Sequence, residues 1–344
     1  MTPSSGPIEV IATTISGSVS DWKKVDKIAP LFAQHGFEEV RLHVTDSHAR
    51  AREATREAVS AGSRTIISAG GSCTFNSVLE GCIDSGAPLG EITLGFLRKG
   101  SADLIGKSLK MPDEITSAIR VFAEALRENR RVPCDIIQAA TEGGPPPRHF
   151  VGYGGAGIFG RIPHYTENRF IKYYKGILGE LFGDLGPFFV GASLSAIEMS
   201  ARRLAAKPRS WRITVDGKEA DRGRFQAMIL MNGDLGPDLP FARSAPLGSG
   251  RFHLFTIRDL GLRRLPGQFR RTWNGRIQDE PERWGFAAHD IESLLLIEPD
   301  GEAPFPVNVD GSTLTCRRAA TFRIVDRIHL LGRSEAAGAG DTGD

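Results

Sequence analysis

The sequence predicts an open α/β domain followed by a β-rich sandwich domain. In the first third, the strand-like segments IEVIATTI, EEVRLHV and TIISAGG alternate with the helix-like segments KKVDKIAPLFAQHG and SHARAREATREAVSAG. Such alternation is typical of a parallel sheet covered by helices. Beyond about residue 130, short strand candidates such as RITVDG, FQAMILMNG and RFHLFTIR are separated by Gly, Pro and Asp, which favours a mostly antiparallel sandwich or barrel.

The remaining elements of the α/β domain follow in order. A helix is expected from about Thr74, then an apolar strand in EITLGFLR and a helix in DEITSAIRVFAEALREN. In that last segment Ile115, Ile119, Phe122 and Leu126 share one face at helical spacing. We therefore expect a first domain over residues 8–130, a second over 131–332 and a disordered, small and polar tail over 333–344.

Composition narrows the class of protein. The 344 residues are 40% apolar and 24% charged, which is ordinary for a globular protein, and a formal net charge of +2 does not indicate nucleic-acid binding. The four cysteines, Cys73, Cys82, Cys134 and Cys316, show no zinc-ligand spacing. No apolar run approaches the roughly 20 residues that span a bilayer, and the N-terminus lacks the pattern of a signal peptide. We expect a cytoplasmic protein that does not bind nucleic acid.

The segment IISAGGSCTFNSVLEGCIDSG, residues 66–86, runs from a strand through two glycines into a helix. A helix start exposes unpaired backbone N–H groups, and glycines allow an anion to approach them. The segment therefore indicates phosphate binding, with an ordinary tight strand-to-helix turn as the alternative. Cys73 is interpreted as a small residue that fills the turn, because no basic partner for an activated thiol is evident.

Several segments, in order along the chain, resemble the diacylglycerol kinase catalytic family, which includes sphingosine, ceramide and bacterial lipid kinases. AGGSCTFNSVLEG is similar to the family's Gly-Gly-Asp-Gly-Thr segment, and LGFLRKGSADLIGKSLKMP to its Pro-x-Gly-Thr-x-Asn-Asp loop. TTISG takes the place of Asn-Pro-x-Ser-Gly, and TDSHARAREA that of a helix entry with Thr and His-Ala. Near the end, DLPFARSAPLGSGRFHLFTI and NVDGSTLTCRRAATFRIVDRIHLL resemble its Pro-x-Ala and closing Asp-Gly-Glu stretches. The resemblance covers nearly the whole chain.

The resemblance implies the fold of NAD kinases and diacylglycerol kinases, with ATP bound in a cleft between the two domains and its γ-phosphate transferred to a lipid hydroxyl. It implies ATP and Mg²⁺ as cofactors, and Asp310 of VDGS as the base that activates the hydroxyl. The alternative for this Asp-Gly pair is a hairpin turn. The positions that match the family's nucleotide-binding segments are Ser16, Gly70, Gly71, Ser72, Thr74, Asn76, Lys99, Gly100, Ser101 and Asp103.

The chain departs from the family pattern at several polar positions. Ser72 stands where the family has Asp, an Asp-Leu pair replaces Asn-Asp, and Ser312 replaces the Glu after Asp-Gly. A hydroxyl binds Mg²⁺ less well than a carboxylate, so the metal site is either rebuilt or lost. A rebuilt site would use Asp103 and Asp135 as metal ligands, and Lys99 would add positive charge.

Two further segments have more than one interpretation. GAGIFG, residues 155–160, matches the glycine pattern of a dinucleotide-binding loop but lacks the surrounding βαβ unit, which argues against that role. The resemblance to the kinase family implies instead that this segment borders the acceptor site. GLRRLPGQFRRTWNGR, residues 261–276, combines arginines with Leu265, Phe269 and Trp273, which is typical either of a solvated amphipathic helix or of one that docks on an anionic membrane. The arginines assigned to docking are Arg263, Arg264, Arg270 and Arg271.

The predicted function is ATP-dependent phosphorylation of a lipid hydroxyl of the diacylglycerol, ceramide or sphingoid type. The enzyme is expected in the cytoplasm or peripherally on the inner membrane face. A non-catalytic nucleotide or lipid sensor is one alternative, and an enzyme that phosphorylates a soluble hydroxylated metabolite is another. The sequence leaves the identity of the acceptor open, and also the oligomeric state, for which a homodimer is one option.

Overall fold

The computed structural model of the protein describes residues 6–14, 22–98, 104–166, 193–194, 209–236 and 239–333. The chain divides into two compact units. The first comprises residues 1–134 and 327–344, and the second comprises residues 135–326. The division lies close to the predicted boundary near residue 130. The end of the last strand, however, belongs to the first unit, because it pairs there with a parallel strand. Residues 334–344 of the predicted tail lie outside the described residues.

The first unit is built on a parallel sheet. Its strands are β1 Ile8–Thr13, β2 Val40–Thr45, β3 Thr65–Gly70, β4 Thr93–Arg98 and the end of β16 Ala320–Leu330. They lie in the order β2-β1-β3-β4-β16, with parallel pairing throughout. All six residues of β1 and all six of β3 are buried, which is typical of parallel strands covered on both faces.

Helices follow the strands of the first unit as the alternation predicts. They are α1 Trp22–Val25, α2 Ile28–Gln34, α3 His48–Ser60, α4 Ser72–Asp84, α5 Leu104–Ser108 and α6 Ile115–Arg127, with a 3-10 turn at Leu89–Glu91. The Glu114 carboxylate caps α6, accepting hydrogen bonds from the backbone N–H groups of Thr116 at 2.9 Å and Ser117 at 2.7 Å. Along this helix Ile119 and Phe122 are fully buried, on the face that the spacing predicts.

The second unit is rich in antiparallel strands. Its elements are β5 Val132–Ala140, β6 Arg148–Phe150, β7 Tyr153–Gly157, α7 Ile158–Thr166, β8 Trp211–Val215, β9 Lys218–Gly223, β10 Phe225–Met231, β11 Phe252–Arg258, α8 Leu265–Trp273, a 3-10 turn Arg276–Asp279, α9 Pro281–Trp284, β12 Phe286–Ile291, β13 Leu295–Pro299, β14 Phe305–Val309, β15 Ser312–Cys316 and most of β16. The first three residues of β5 and the last four of β16 belong to the first unit.

Two sheets of the second unit enclose one apolar core. One sheet has the order β16-β13-β8-β9, with β5 pairing with β16 and β6, and the other has the order β12-β11-β10-β7-β14-β15. Both sheets contribute to one cluster of buried side chains. Trp211 of β8 and Phe305 of β14 meet edge to face within it, with ring centroids 5.1 Å apart. The predicted sandwich is therefore confirmed.

The structure contains strands that the sequence does not predict, among them β7. Its sequence YGGAG looks like a loop, yet it pairs with both β10 and β14. A Cβ added at Gly154 would lie 2.9 Å from the carbonyl oxygen of Asn308, so glycine is required for the close approach to β14. Among the described residues, no helix is both long and apolar enough to cross a membrane.

Candidate functional site

The start of α4 presents backbone donors at the end of β3. Gly71 is the N-cap residue in an extended conformation and provides no side-chain cap, and the first turn contains no acidic residue. Within the described part of the chain, the backbone N–H of Ser72 donates to no acceptor. A 13-residue helix with an uncapped, positively polarised N-terminus is suited to an anion. This geometry fits the phosphate of a nucleotide.

The Thr74 side chain fixes the turn between β3 and α4. Its side chain is fully buried, and its hydroxyl lies 2.7 Å from the hydroxyl of Thr13 at the end of β1. A Cβ added at Gly70 would lie 2.6 Å from Thr74 Cβ, so only glycine fits there without displacing Thr74. Of the other predicted phosphate contacts, Asn76 is half-buried in the first turns of α4.

The predicted second phosphate loop falls in a part of the chain that the structure does not describe. Lys99, Gly100, Ser101 and Asp103 all lie between described residues 98 and 104. Ser16 lies outside the described residues as well. Their roles stay predictions from the sequence.

Asp310 occupies the two-residue turn of the β14–β15 hairpin. It has φ 43° and is followed by Gly311 at φ 83°, a left-handed pair that hairpin turns favour. The side chain is 1% exposed. One carboxylate oxygen accepts from the N–H groups of Val151 at 3.0 Å and Gly152 at 3.2 Å, and the other accepts from Tyr153 N–H at 2.7 Å. The hairpin-turn interpretation therefore describes the backbone, while the carboxylate also anchors the start of β7.

Burial dominates the electrostatics of Asp310. It raises the pKa of the carboxyl to about 6, although the hydrogen bonds from the three backbone N–H groups act in the opposite direction. A carboxyl with a pKa near neutrality has the protonation behaviour of a general base or acid at physiological pH.

Asp135 and Asp310 belong to one buried hydrogen-bond network within the second unit. One Asp135 carboxylate oxygen accepts from Gly250 N–H at 2.6 Å. The side-chain N–H₂ of Asn232 donates to the carbonyl oxygens of Asp135 at 2.6 Å and of Val151 at 2.8 Å. Val151 in turn donates to Asp310. No sequence signal predicted Asn232, because Asn-Gly after a strand is usually only a turn.

A metal site is not assembled by the described residues. No group of three or more His, Cys, Asp or Glu side chains comes together within them, and the Asp135 carboxylate binds a backbone N–H instead. The described residues therefore fit a nucleotide phosphate at α4 but not a carboxylate-bound Mg²⁺. Asp103, the other proposed ligand, lies outside them.

An apolar pocket lies within the second unit. It contains about 690 Å³ of empty space, including solvent at its mouth, and is bounded by α7, β10, β11, α8 and the segment 239–241. Eleven of its fourteen lining residues are apolar. They are Ile158, Phe159, Ile162, Ala227, Ile229, Leu239, Pro240, Phe241, Ile257, Leu265 and Phe269, and the polar ones are Gln226, Gln268 and Thr272. Ile158 and Phe159 of GAGIFG belong to this lining, and the role of the segment beside the acceptor stays a prediction.

Helix α8 forms one wall of this pocket. Leu265 and Phe269, which belong to the segment interpreted either as a solvated amphipathic helix or as a membrane-docking one, line the pocket. Arg263, Arg264 and Arg270 are exposed. Arg271 is more constrained, because it lies 2.9 Å from Glu280 and its guanidinium stacks 4.8 Å from the Trp284 ring centroid. The side chain of Trp273 is not among those described.

The start of α4 lies inside a segment with a clear family match. The family model for the diacylglycerol kinase catalytic domain matches residues 7–139. This part of the chain is thus similar to the diacylglycerol kinase catalytic domain. The matched diacylglycerol kinase catalytic domain includes Gly70, Gly71 and Thr74, whereas Asp310 and nearly all of the second unit lie beyond it.

Solved structures share the fold over almost the full chain. A diacylglycerol kinase from Bacillus anthracis str. Sterne is 15% identical, with a TM-score of 0.65 over 95% of this chain and 97% of that chain. A second protein from the same organism, provisionally named a diacylglycerol kinase, is 16% identical with a TM-score of 0.65, covering 95% of each chain. No curated protein matches the sequence. The chain therefore shares the fold of these solved structures, which is the fold that the sequence predicts.

Proposed function

We propose that the protein transfers the γ-phosphate of ATP to the hydroxyl of a lipid. The matched family supports kinase chemistry for the first unit, which implies ATP and usually a divalent metal. The apolar pocket of the second unit carries the choice of a lipid acceptor, because eleven of its fourteen lining residues are apolar. A small soluble alcohol would leave most of that surface in contact with water.

The chain offers groups for two of the tasks of phosphoryl transfer. The uncapped start of α4, with the backbone of Gly71 and Ser72, would hold phosphate oxygens. Asp310 would take the proton of the acceptor hydroxyl, since its raised pKa of about 6 leaves it mostly ionised at pH 7 and still able to bind a proton. ATP supplies the transferred phosphoryl group, and the matched family typically uses a divalent metal to offset its charge.

A test of the lipid assignment narrows the pocket and measures transfer. Radiolabelled ATP and Mg²⁺ are supplied with diacylglycerol, ceramide, sphingosine and soluble alcohols. We expect label in a lipid, and we expect Ala227→Leu, which adds three carbon atoms to the pocket wall, to lower that transfer about tenfold or more through overpacking. Ala288→Leu is the matched control, because Ala288 is exposed on β12. Label only in soluble alcohols, or equal activity of both variants, would contradict the proposal.

A non-catalytic sensor is the second candidate, and Ser72 favours it. The family has a carboxylate at this position, whereas Ser72 provides a hydroxyl at the start of α4. Binding of ATP without label transfer to any acceptor would select this candidate over the kinase.

We also propose that the protein docks transiently on anionic membranes through α8. Arg263, Arg264 and Arg270 are exposed at or next to this helix, and its apolar residues Leu265 and Phe269 line the pocket. Docking through the arginines would therefore bring a pocket wall to the membrane surface, where a lipid acceptor resides.

A further inference from the structure

The acceptor pocket contains polar groups whose orientation restricts its ligand. Gln226 of β10 is 2% exposed and Gln268 of α8 is 1% exposed, and both line the pocket. Thr272, one helical turn after Gln268, also lines it. Buried amides and hydroxyls require partners, so their hydrogen bonds indicate which chemical groups the pocket can still accept.

The two glutamine amides have only one consistent orientation. The Gln268 side-chain N–H₂ donates to the carbonyl oxygens of Arg258 and Trp284, each at 2.8 Å. Its oxygen must therefore face Gln226, whose N–H₂ donates to it at 2.9 Å. The oxygen of Gln226 is consequently turned away from Gln268, and it accepts no hydrogen bond from any described residue. It is an acceptor with no donor of its own.

Thr272 provides a second polar group in the same pocket. Its hydroxyl is buried and forms no hydrogen bond with the part of the chain that the structure describes. A hydroxyl can donate to a ligand carbonyl, whereas the Gln226 oxygen can only accept. Together they match a group that has both a donor and a carbonyl, as a secondary amide does.

We propose that the pocket selects lipids that carry an N–H or O–H donor within the apolar body, such as an amide, over lipids that have only ester oxygens there. This inference rests on the proposed function, because it concerns the acceptor of that reaction. Gln226 would accept the donor and Thr272 would donate to the adjacent carbonyl. An ester could satisfy Thr272 but would place its oxygen against the Gln226 oxygen, two acceptors without a proton between them.

The test compares two lipids that differ only at this group. An N-acyl ethanolamine and the monoacyl ester of ethylene glycol with the same chain carry an amide N–H and an ester oxygen, respectively, and both end in one hydroxyl. Binding to the full-length protein without ATP is measured by calorimetry, and phosphoryl transfer to each is measured separately. We expect the amide to bind about fivefold tighter or more, as one hydrogen bond implies.

Two variants assign the preference to its residues. Gln226→Met should abolish the difference between amide and ester. Thr272→Val should weaken the binding of both lipids by about the same factor. The lipid-free protein should keep its thermal stability, because the Thr272 hydroxyl has no partner to lose among the described residues. Should Gln226→Met not fold, the comparison on the unsubstituted protein still decides.

The outcomes separate this inference from the proposed function. Equal binding of the two lipids, tighter binding of the ester, or no binding of either would overturn the selection by Gln226 and Thr272. Tighter binding of the amide without label transfer to either lipid would uphold the selection, and the kinase activity would be contradicted if the other acceptors were not labelled either. Label transfer to both lipids, with equal binding affinity for the two, would support the kinase activity and overturn the selection of the amide.

Discussion

Thr13 and Thr74 share a buried hydrogen bond, with 2.7 Å between their hydroxyl oxygens. Thr13 is the last residue of β1, and Thr74 lies in the first turn of α4. The bond therefore fixes the start of α4 to the edge of the sheet at which the strands end. Since the proposed phosphate position is that helix start, its geometry depends on this contact inside the first unit.

Thr13→Val keeps the shape of the side chain and removes this bond. We expect the free energy of unfolding to fall by about 1 kcal/mol, the typical contribution of one buried hydrogen bond. Urea unfolding measures the change. Thr65→Val on the neighbouring β3 is the control, because the Thr65 hydroxyl forms no hydrogen bond with the described residues. Equal stability of the two variants would show that the Thr13 bond contributes nothing.

Gly70→Ala should directly disturb the proposed phosphate position at the start of α4. The added Cβ would lie 2.6 Å from Thr74 Cβ, and Thr74 cannot withdraw without breaking its bond to Thr13. We expect a loss of about 1–3 kcal/mol in unfolding free energy and weaker ATP binding, measured by calorimetry.

Gly90→Ala provides the matched control in the same unit, since nothing lies within 4 Å of its added Cβ. If Gly70→Ala bound ATP as tightly as Gly90→Ala does, Gly70 would have no role in phosphate binding.

The stability of the protein should depend on pH through Asp310. Burial raises its pKa from 3.8 to about 6, so the folded state holds the proton more tightly than the unfolded chain. The resulting stabilisation is fully present below about pH 4 and is lost as the pH rises through about 6, an effect on the order of 3 kcal/mol. Unfolding free energies measured from pH 4 to 7 should fall in the unsubstituted protein and fall less in Asp310→Asn. Parallel curves would mean that Asp310 titrates normally.

Arg270 and Arg271 should behave differently on membranes despite being adjacent. Arg270 is exposed, whereas Arg271 pairs with Glu280 and stacks on Trp284. Arg270→Gln should weaken sedimentation with anionic vesicles and leave stability unchanged, with about 1 kcal/mol of surface attraction lost. Arg271→Gln should mainly lower stability. Equal binding to anionic and to neutral vesicles would contradict the docking proposal.

The fold was predictable because the spacing of apolar residues along the sequence indicates its strands and helices. Strand and helix alternate with clear periods up to α6, and the apolar face of Ile119 and Phe122 is buried as expected. β7 was missed for a physical reason: its glycines permit close pairing with β14, so they mark contact with a distant strand and not a loop. Tertiary contacts of this kind leave no local pattern.

The site was predictable only where a motif is contiguous. The two glycines before α4 indicate the uncapped helix start, because the backbone N–H groups that would bind phosphate belong to consecutive residues. The pocket is assembled from α7, β10, β11 and α8, and the orientation of Gln226 depends on Gln268 forty-two residues later. Asn232, which joins Asp135 to Val151, likewise acts through partners far away in the sequence.

The parallel sheet of the first unit is completed by β16, the last strand among the described residues. His329 and Leu330 pair with Thr93 and Leu94, and Leu331 N–H donates to Leu94 at 2.8 Å. During synthesis on the ribosome, β4 would therefore keep an open edge until about 230 further residues have emerged. The first unit would therefore mature only after β16 has emerged, and a chain truncated before β16 would expose a strand edge liable to aggregate.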